Sequence, residues 1–479
     1  MNAQLPGHTR LPEPQLAFHP EREQDRSPHP LRGLLEFGPY SRSLLNAVLD
    51  PIRVATLAPH GEGSRLVHFI SELEQPHPPR ERKNYLPDWP GFSKVFGLRA
   101  VRADDPGAQV ELPADLDQKL ERATKPHTLL AEELTRALRA FGAAGGDYDL
   151  LMILLPDRWQ AGFEGPESDP FDLHDYLKAH LAMRGLPSQI VRENRGLSYF
   201  CRCSVAWRQG VALYCKAGGV PWKLADPEPE TAHIGLSYAL RPHAEDGRRF
   251  LTCCSQVFDS DGAGLEFVAY ETADFRYFGE NPFLSRAEMR RVMARSLTLY
   301  QERHAGRVPR RVLVHKTTEF KAHEVEGAFD ALGHIATVDL LQIKQDAGWK
   351  GVRIDPPAPG STRRGTPARY PLERGTMLAL GAAEVLLWTA GDAPEATGGR
   401  SYFKEGKGIP EPLMLVRHAG HGGWEDTAGA VLGLTKMNWN NDALYDRLPV
   451  TLGFASTLAH TVVHMSKLGP RPYPVRYFM

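Results

Sequence analysis

Apolar positions along this chain follow two rhythms, and the change falls near residue 231. Before it, Asp149 opens an unbroken apolar run over 150–155, which predicts a strand buried on both faces. Asp169-Pro170 predict the cap and first position of a helix that Gly185 stops. Residues 188–191 predict a short strand, and a helix over about 204–216 ends at Gly218-Gly219. Further upstream, 54–57 and 66–70 predict strands and the proline-rich 76–90 a loop. Leu130, Leu134, Leu138 and Phe141 recur at helical spacing, and the glycine-rich 142–146 ends that helix. Alternating strands and helices predict a Rossmann-like α/β layer.

After residue 231 the order changes. Residues 234–240, 250–258 and 265–270 predict three consecutive strands. A helix (285–304), a strand (312–315), a helix (319–332) and a strand (335–340) follow. Three strands and then α, β, α, β is the order of an RNase H-like fold. Strands over 377–389 and 413–416 and a helix over 450–467 complete the pattern. Residues 1–30 hold six prolines, many charges and no apolar period, which predicts a flexible lead-in with order starting near Leu34. Arg353, Arg363, Arg364, Arg369 and Arg374 predict a mobile, basic loop, which either follows a nucleic-acid backbone or is simply solvated.

At 479 residues the chain is long enough for two or three domains. Its 57 basic and 58 acidic residues give a formal net charge of −1, so any polyanion must be met by local clusters or by a partner's positive surface. No apolar run reaches the ~20 residues of a membrane span, and no apolar stretch of the secretory type opens the chain. Five cysteines, two of them adjacent at Cys253-Cys254, are not a disulfide framework and suit a reducing cytoplasm.

The candidate chemistry is an anion site. His174 and Lys178 stand four apart, on one face of the helix expected after Asp169. Gln189 and Lys216 complete the set. Two ammoniums, an imidazole and an amide supply the donors that replace water around a phosphate. Cys201-x-Cys203 lacks a second ligand pair at zinc spacing. His460 and His464 have Thr461 where a zinc protease carries glutamate, and His418 and His421 have no third ligand. Trp222, between Pro221 and Leu224, is expected in the core.

His174, Lys178, Gln189 and Lys216, followed by Lys216-Ala217-Gly218-Gly219-Val220-Pro221-Trp222-Lys223-Leu224, resemble the guide 5′-phosphate pocket of the Argonaute MID domain. Ile234-Gly235-Leu236, Leu434-Thr435-Lys436-Met437-Asn438-Trp439-Asn440 and Arg447-Leu448-Pro449-Val450-Thr451 extend the resemblance to MID–PIWI proteins, of the kind found as short prokaryotic Argonautes. The implied layout is a lead-in (1–30), a Rossmann-like MID domain (31–225) and an RNase H-like PIWI domain (226–479). The resemblance also implies Mg2+ at the guide phosphate, ligated by Gln189 and the terminal carboxylate of Met479.

Slicing Argonautes hold two metals with an Asp-Glu-Asp-X tetrad. Here Ser237 stands where the first-strand aspartate is expected, and Thr317, after His315-Lys316, where the second is expected. The PIWI domain is therefore expected to bind a duplex without cutting it. By resemblance, the partners are a guide RNA, an invading single-stranded DNA and a separate APAZ-containing effector. That effector would be a sirtuin-like or TIR NADase, the sirtuin-like type favoured over TIR, or a nuclease; an NADase would deplete NAD+ and abort infection. Two other readings remain open. One is a guided endonuclease using displaced carboxylates such as Asp259, Glu319 and Asp339. The other is a protein whose Rossmann-like half holds a mononucleotide.

Overall fold

The computed structural model describes residues 7–44, 48–142, 147–242, 249–272, 274–279, 281–355, 357, 359–360, 365–403, 408–465 and 472–479. Three short strands, β1 (His8–Arg10), β2 (Leu16–Ala17) and β3 (Arg26–Ser27), precede helix α1 (Pro30–Phe37). Then come β4 (Ile52–Ala58), α2 (Gly63–Glu72), α3 (Phe92–Phe96), β5 (Ala100–Arg102) and β6 (Gln109–Glu111). Helices α4 (Leu116–Arg122) and α5 (Pro126–Leu138) lead to β7 (Leu150–Leu155), α6 (Leu173–Met183), β8 (Ser188–Arg192), α7 (Arg202–Lys216) and β9 (Lys223–Leu224). Strands β5, β4, β7 and β8 lie side by side, all parallel, with β6 also beside β4. All six residues of β7 are buried, as an unbroken apolar run requires when helices cover both faces.

The second sheet begins with β10 (Thr231–Pro242), β11 (Arg249–Phe258) and β12 (Gly264–Thr272), which pair antiparallel in sequence order. A hairpin of β13 (Phe275–Phe278) and β14 (Asn281–Leu284) leads into α8 (Arg286–Arg303). Next are β15 (Arg311–Lys316), α9 (Ala322–Leu332), β16 (Thr337–Lys344) and the small hairpin β17 (Ile354–Asp355) and β18 (Thr366–Pro367). Strands β19 (Thr376–Ala379), β20 (Glu384–Leu387) and β21 (Leu413–Ala419) come before α10 (Trp424–Leu434) and α11 (Val450–Val463). The sheet has nine strands in the order β1-β19-β20-β21-β16-β15-β10-β11-β12, with β10, β15 and β16 parallel. A mixed α/β chain, Rossmann-like and then RNase H-like, is the architecture expected. No described helix is long and apolar enough to cross a membrane.

Several expectations need correcting. The lead-in over 1–30 is built into the fold from residue 7: β1 pairs with β19, and Leu11, Leu16 and Phe18 are buried. Glu13 is buried with Arg374 at 3.0 Å and with Lys436, so charge pairing holds a segment too poor in apolar residues to anchor itself. Residues 66–70 are helix, not strand, because Leu66, Phe69 and Ile70 bury one face at i, i+3, i+4 spacing. Helix α6 is capped by Asp172, whose carboxylate accepts from the Asp175 amide at 3.0 Å. Asp169 instead meets Lys125 at 3.0 Å. Arg374 is no member of a mobile loop; it is fully buried and hydrogen-bonded to Leu432 O and Thr435. Arg363, Arg364 and Lys467 lie outside the described residues.

The two halves also share a core. One apolar cluster joins Leu150, Trp207 and Trp222 to Phe258, Leu434, Met437 and Met479. The boundary expected at 225 thus separates two sheets without separating two cores.

Candidate guide-end pocket

Helix α6 and helix α7 each place one lysine at the same spot. Leu173, Leu177 and Leu181 bury one stripe of α6, and Lys178 is carried inward beside them. Lys178 Nζ donates to Ser188 O at 2.6 Å and to a main-chain oxygen of Met479. Lys216, the last residue of α7, donates to Gln189 Oε1 on β8. Both lysines are about 1% exposed. Burial lowers Lys178 to about 7, and burial followed by repulsion from Lys178 lowers Lys216 well below the usual lysine range. No side-chain carboxylate pairs with either lysine among the described residues, so the two amines face each other with only neutral or chain-end oxygens as partners, and burial works against both carrying charge at once.

The end of the chain reaches this spot through the second sheet. Tyr473 and Phe267 of β12 exchange backbone hydrogen bonds at 2.9 and 3.1 Å, and Phe478 packs edge-on against Phe267 at 4.5 Å. This covers the edge strand β12 and directs Met479 toward Lys178. His174 stays outside the lysine pair. Its ring lies 3.3 Å from Asp175, and it shares with Phe478 and Met479 a cleft of about 460 Å3. The structure therefore joins Lys178, Gln189, Lys216 and Met479 in one hydrogen-bonded group and sets His174 at the mouth of the adjoining cleft.

That cleft is also lined by Asn438, Asn440, Asp446 and Arg447, to which the sequence reading gave no site role. The signal was the run Asn438-Trp439-Asn440-Asn441 just before Arg447-Leu448-Pro449 and α11. Such a polar loop is costly beside a core unless its amides are used. Gln189 Oε1 and the chain-end oxygen of Met479 are hard ligands of the type Mg2+ takes, and each keeps lone pairs beyond those given to lysine. A separate group of Asp172, His174 and Asp175 also has metal-ligand spacing.

Ser237 lies on β10, and Thr317 directly follows the last residue of β15, whose parallel pairing with β10 runs as far as Gly235 opposite His315. Beside them, Lys316 Nζ donates to Glu324 at 2.6 Å, both groups fully buried. Tyr238 donates to the same carboxylate at 3.1 Å, and the rings of Tyr238, Phe283 and Phe320 surround the ammonium at 4.7–5.3 Å.

Asp259, Glu319 and Asp339 do not gather into one site. Asp259 meets His304 at 3.2 Å, Glu319 pairs with Lys321 on the surface, and Asp339 is buried between Arg311 at 3.3 Å and Arg417 at 3.1 Å. At the Rossmann-like crevice, Gly63 and Glu111 line an open cavity of about 580 Å3. Glu111 accepts from the Gly61 and Gly63 amides at 2.8 and 3.3 Å, where the start of α2 would otherwise meet a phosphate. Arg65 and Arg158 each reach Glu62 at 2.5 Å.

No family model and no curated protein matches the sequence. Solved structures do. The Argonaute of Clostridium butyricum, bound to a guide DNA and a 19-mer target DNA, superposes with a TM-score of 0.62 at 14% identity, over 97% of this chain and 54% of that one. An Aquifex aeolicus Argonaute superposes with a TM-score of 0.58 at 16% identity, over 98% of this chain and 57% of that one. The fold is Argonaute-like. This chain spans about half the length of those Argonautes, and its two sheets correspond to a MID–PIWI arrangement.

The remaining candidate residues are structural. Cys201, Cys203, Cys215 and Cys253 are buried, and none forms a disulfide among the described residues. His418 is hydrogen-bonded to Gln342 at 3.1 Å, and His464 packs edge-on to Phe171. Trp222 is buried, and its indole donates to Lys436 O at 3.0 Å.

Proposed function

We propose that this chain is the guide-holding recognition subunit of a prokaryotic immune system. The observation that carries the reading is the convergence of Lys178 and Lys216, two buried ammoniums without a side-chain carboxylate. A dianionic 5′-phosphate restores the charge balance that the fold leaves open, and it keeps both lysines protonated. Mg2+, held by Gln189 Oε1 and the Met479 carboxylate, would bridge phosphate oxygens there. The Argonaute-like fold and the guide- and target-bound complex of the Clostridium butyricum protein support nucleic-acid guides as the ligand class. The guide favoured is RNA, paired with single-stranded DNA of a phage or plasmid.

Ser237, Thr317 and the scattered carboxylates support a PIWI domain that grips a duplex without cutting it. Output then falls to a partner: an APAZ-containing effector of sirtuin-like or TIR type, whose NAD+ depletion aborts infection in the cytoplasm. The net charge of −1 supports such a partner, because a polyanion needs positive surface from somewhere.

Fluorescence anisotropy with 5′-phosphorylated and 5′-hydroxyl oligonucleotides tests the pocket. Wild-type protein should prefer the phosphate, and Lys178→Ala with Lys216→Ala should abolish that preference. Equal affinity of the wild type for both ends would defeat the assignment. Co-purification with the product of the adjacent reading frame tests the partner.

A further inference from the structure

The crevice of the Rossmann-like half shares no lining residue with the guide-end cleft. It lies between helix α2 and the strands β4, β5 and β6, and its wall is mostly polar. Arg102 and Glu111 are the last residues of β5 and β6, at the carboxyl edge of the sheet where doubly wound folds take ligands. Pairing with β4 sets Arg102 opposite Val54 and Glu111 opposite Ala58. Four strand residues hold their backbones about 13 Å apart. Thr56 lies between them. It is 3% exposed, lines the cavity, and has no hydrogen bond to its hydroxyl among the described residues. A buried hydroxyl left in that state costs free energy until a ligand or solvent meets it. Gln109 donates its amide to Ala103 O at 3.3 Å, which leaves Oε1 to accept. Ser64 adds a hydroxyl from α2, and Val67 and Val110 supply an apolar wall.

These groups give the cavity two unlike ends. At one, the exposed Arg102 guanidinium has no carboxylate partner among the described residues, so it can take an anionic oxygen. The start of α2 cannot, because Glu111 already accepts from the Gly61 and Gly63 amides there. Those two bonds hold the carboxylate still and leave it lone pairs for vicinal hydroxyls. In dinucleotide-binding folds, an acidic residue near the glycine-rich turn takes the hydroxyls of a ribose. We infer that this cavity binds a ribose phosphate. The phosphate lies on Arg102, the ring hydroxyls meet Glu111 and Gln109, and Thr56 donates from the floor. Arg102 and Glu111 both line the cavity and so shorten the span between their backbones, which suits a pentose phosphate rather than a dinucleotide. The ligand is either a free pentose phosphate or a nucleoside monophosphate, whose base would rest on Val67 and Val110. Guide binding is not needed for this site.

Isothermal titration calorimetry on the full chain tests it, with ribose 5-phosphate, adenosine 5′-monophosphate, ribose and inorganic phosphate as probes. Ribose 5-phosphate should bind about tenfold more tightly than ribose or phosphate alone. Arg102→Gln and Thr56→Val should each weaken it about tenfold, whereas Thr56→Ser, which keeps the hydroxyl, should bind as the wild type does. Binding of 5′-phosphorylated oligonucleotides, read by anisotropy, should be unchanged in all three variants. If Thr56→Val fails to fold, the surface variant Arg102→Gln decides alone. Tighter binding of adenosine 5′-monophosphate than of ribose 5-phosphate supports the site and assigns it a nucleotide. Equal or weaker binding of the nucleotide supports the site and assigns it the pentose phosphate. Absence of binding by both, phosphate binding as tightly as ribose 5-phosphate, or affinity unchanged in Arg102→Gln overturns the inference. Binding lost only in Lys178→Ala with Lys216→Ala belongs to the guide-end pocket and overturns it too.

Discussion

Lys178 donates to a main-chain oxygen of Met479, 301 residues further along the chain. This contact ties the first sheet's helix α6 to the segment that covers edge strand β12 of the second sheet. The pocket is therefore shared by the two halves: the first supplies both lysines, Ser188 O and Gln189, and the second adds the Met479 oxygen.

Extending the chain beyond Met479 should weaken binding of 5′-phosphorylated oligonucleotides, since the appended peptide replaces the carboxylate at Met479 beside Lys178 with a neutral amide. Anisotropy on the untagged and C-terminally tagged proteins measures it. Unchanged affinity would remove Met479 from the site.

Burial lowers Lys178 to about 7, whereas an unfolded lysine holds its proton to about 10.5. The unfolded state thus binds more protons between those values, and the linkage slope is positive: stability of the unliganded protein should rise as pH increases from about 7 toward 10. Lys178→Met should flatten this rise, as read by thermal melts against pH. Preference for the 5′-phosphate should move the other way and be larger near pH 6.5 than near pH 8.5. At the lower pH the lysine carries its charge while the phosphate remains largely dianionic.

Glu13 neutralises Arg374 and Lys436 in a fully buried cluster. Glu13→Ala leaves two uncompensated cations, and a loss of about 3–5 kcal/mol is expected. Urea denaturation checks it, and a loss below about 1 kcal/mol would show that the N-terminal segment is only loosely held.

The Lys316–Glu324 pair gives a comparable test beside Ser237 and Thr317. Lys316→Met alone should cost about 3–5 kcal/mol, because Glu324 is then buried without its cation. Lys316→Met with Glu324→Met should recover most of that loss. A double variant no more stable than the single one would show that the carboxylate's bonds to Tyr238 and the Leu284 amide matter more than the ion pair.

Incubation with guide, complementary strand and Mn2+ should yield no guided cleavage. Specific cleavage would require a carboxylate set that Asp259, Glu319 and Asp339 do not form, and would overturn the non-cutting reading.

Much of this was readable in one dimension. The buried run 150–155, the antiparallel trio after Thr231 and the helix, strand, helix order that follows are periodic over enough residues to specify their elements. The four-residue spacing of His174 and Lys178 correctly put both on α6. Local pattern misled where a short apolar stretch fits two periods, as at Leu66 to Ile70. It also misled where long-range ion pairs did the anchoring, as at Glu13.

The sequence by itself determined the alternation of elements, the identity of the phosphate-binding candidates and the absence of aspartate at 237 and 317. Hydrophobic period and residue chemistry are local, so no fold is needed to read them. Tertiary structure alone decided that Lys178 and Lys216 meet while His174 stays outside, and that Asp339 is locked between two arginines. Those outcomes depend on which surfaces the two sheets press together and which charges lose their water in doing so. Neither is encoded in spacing along the chain.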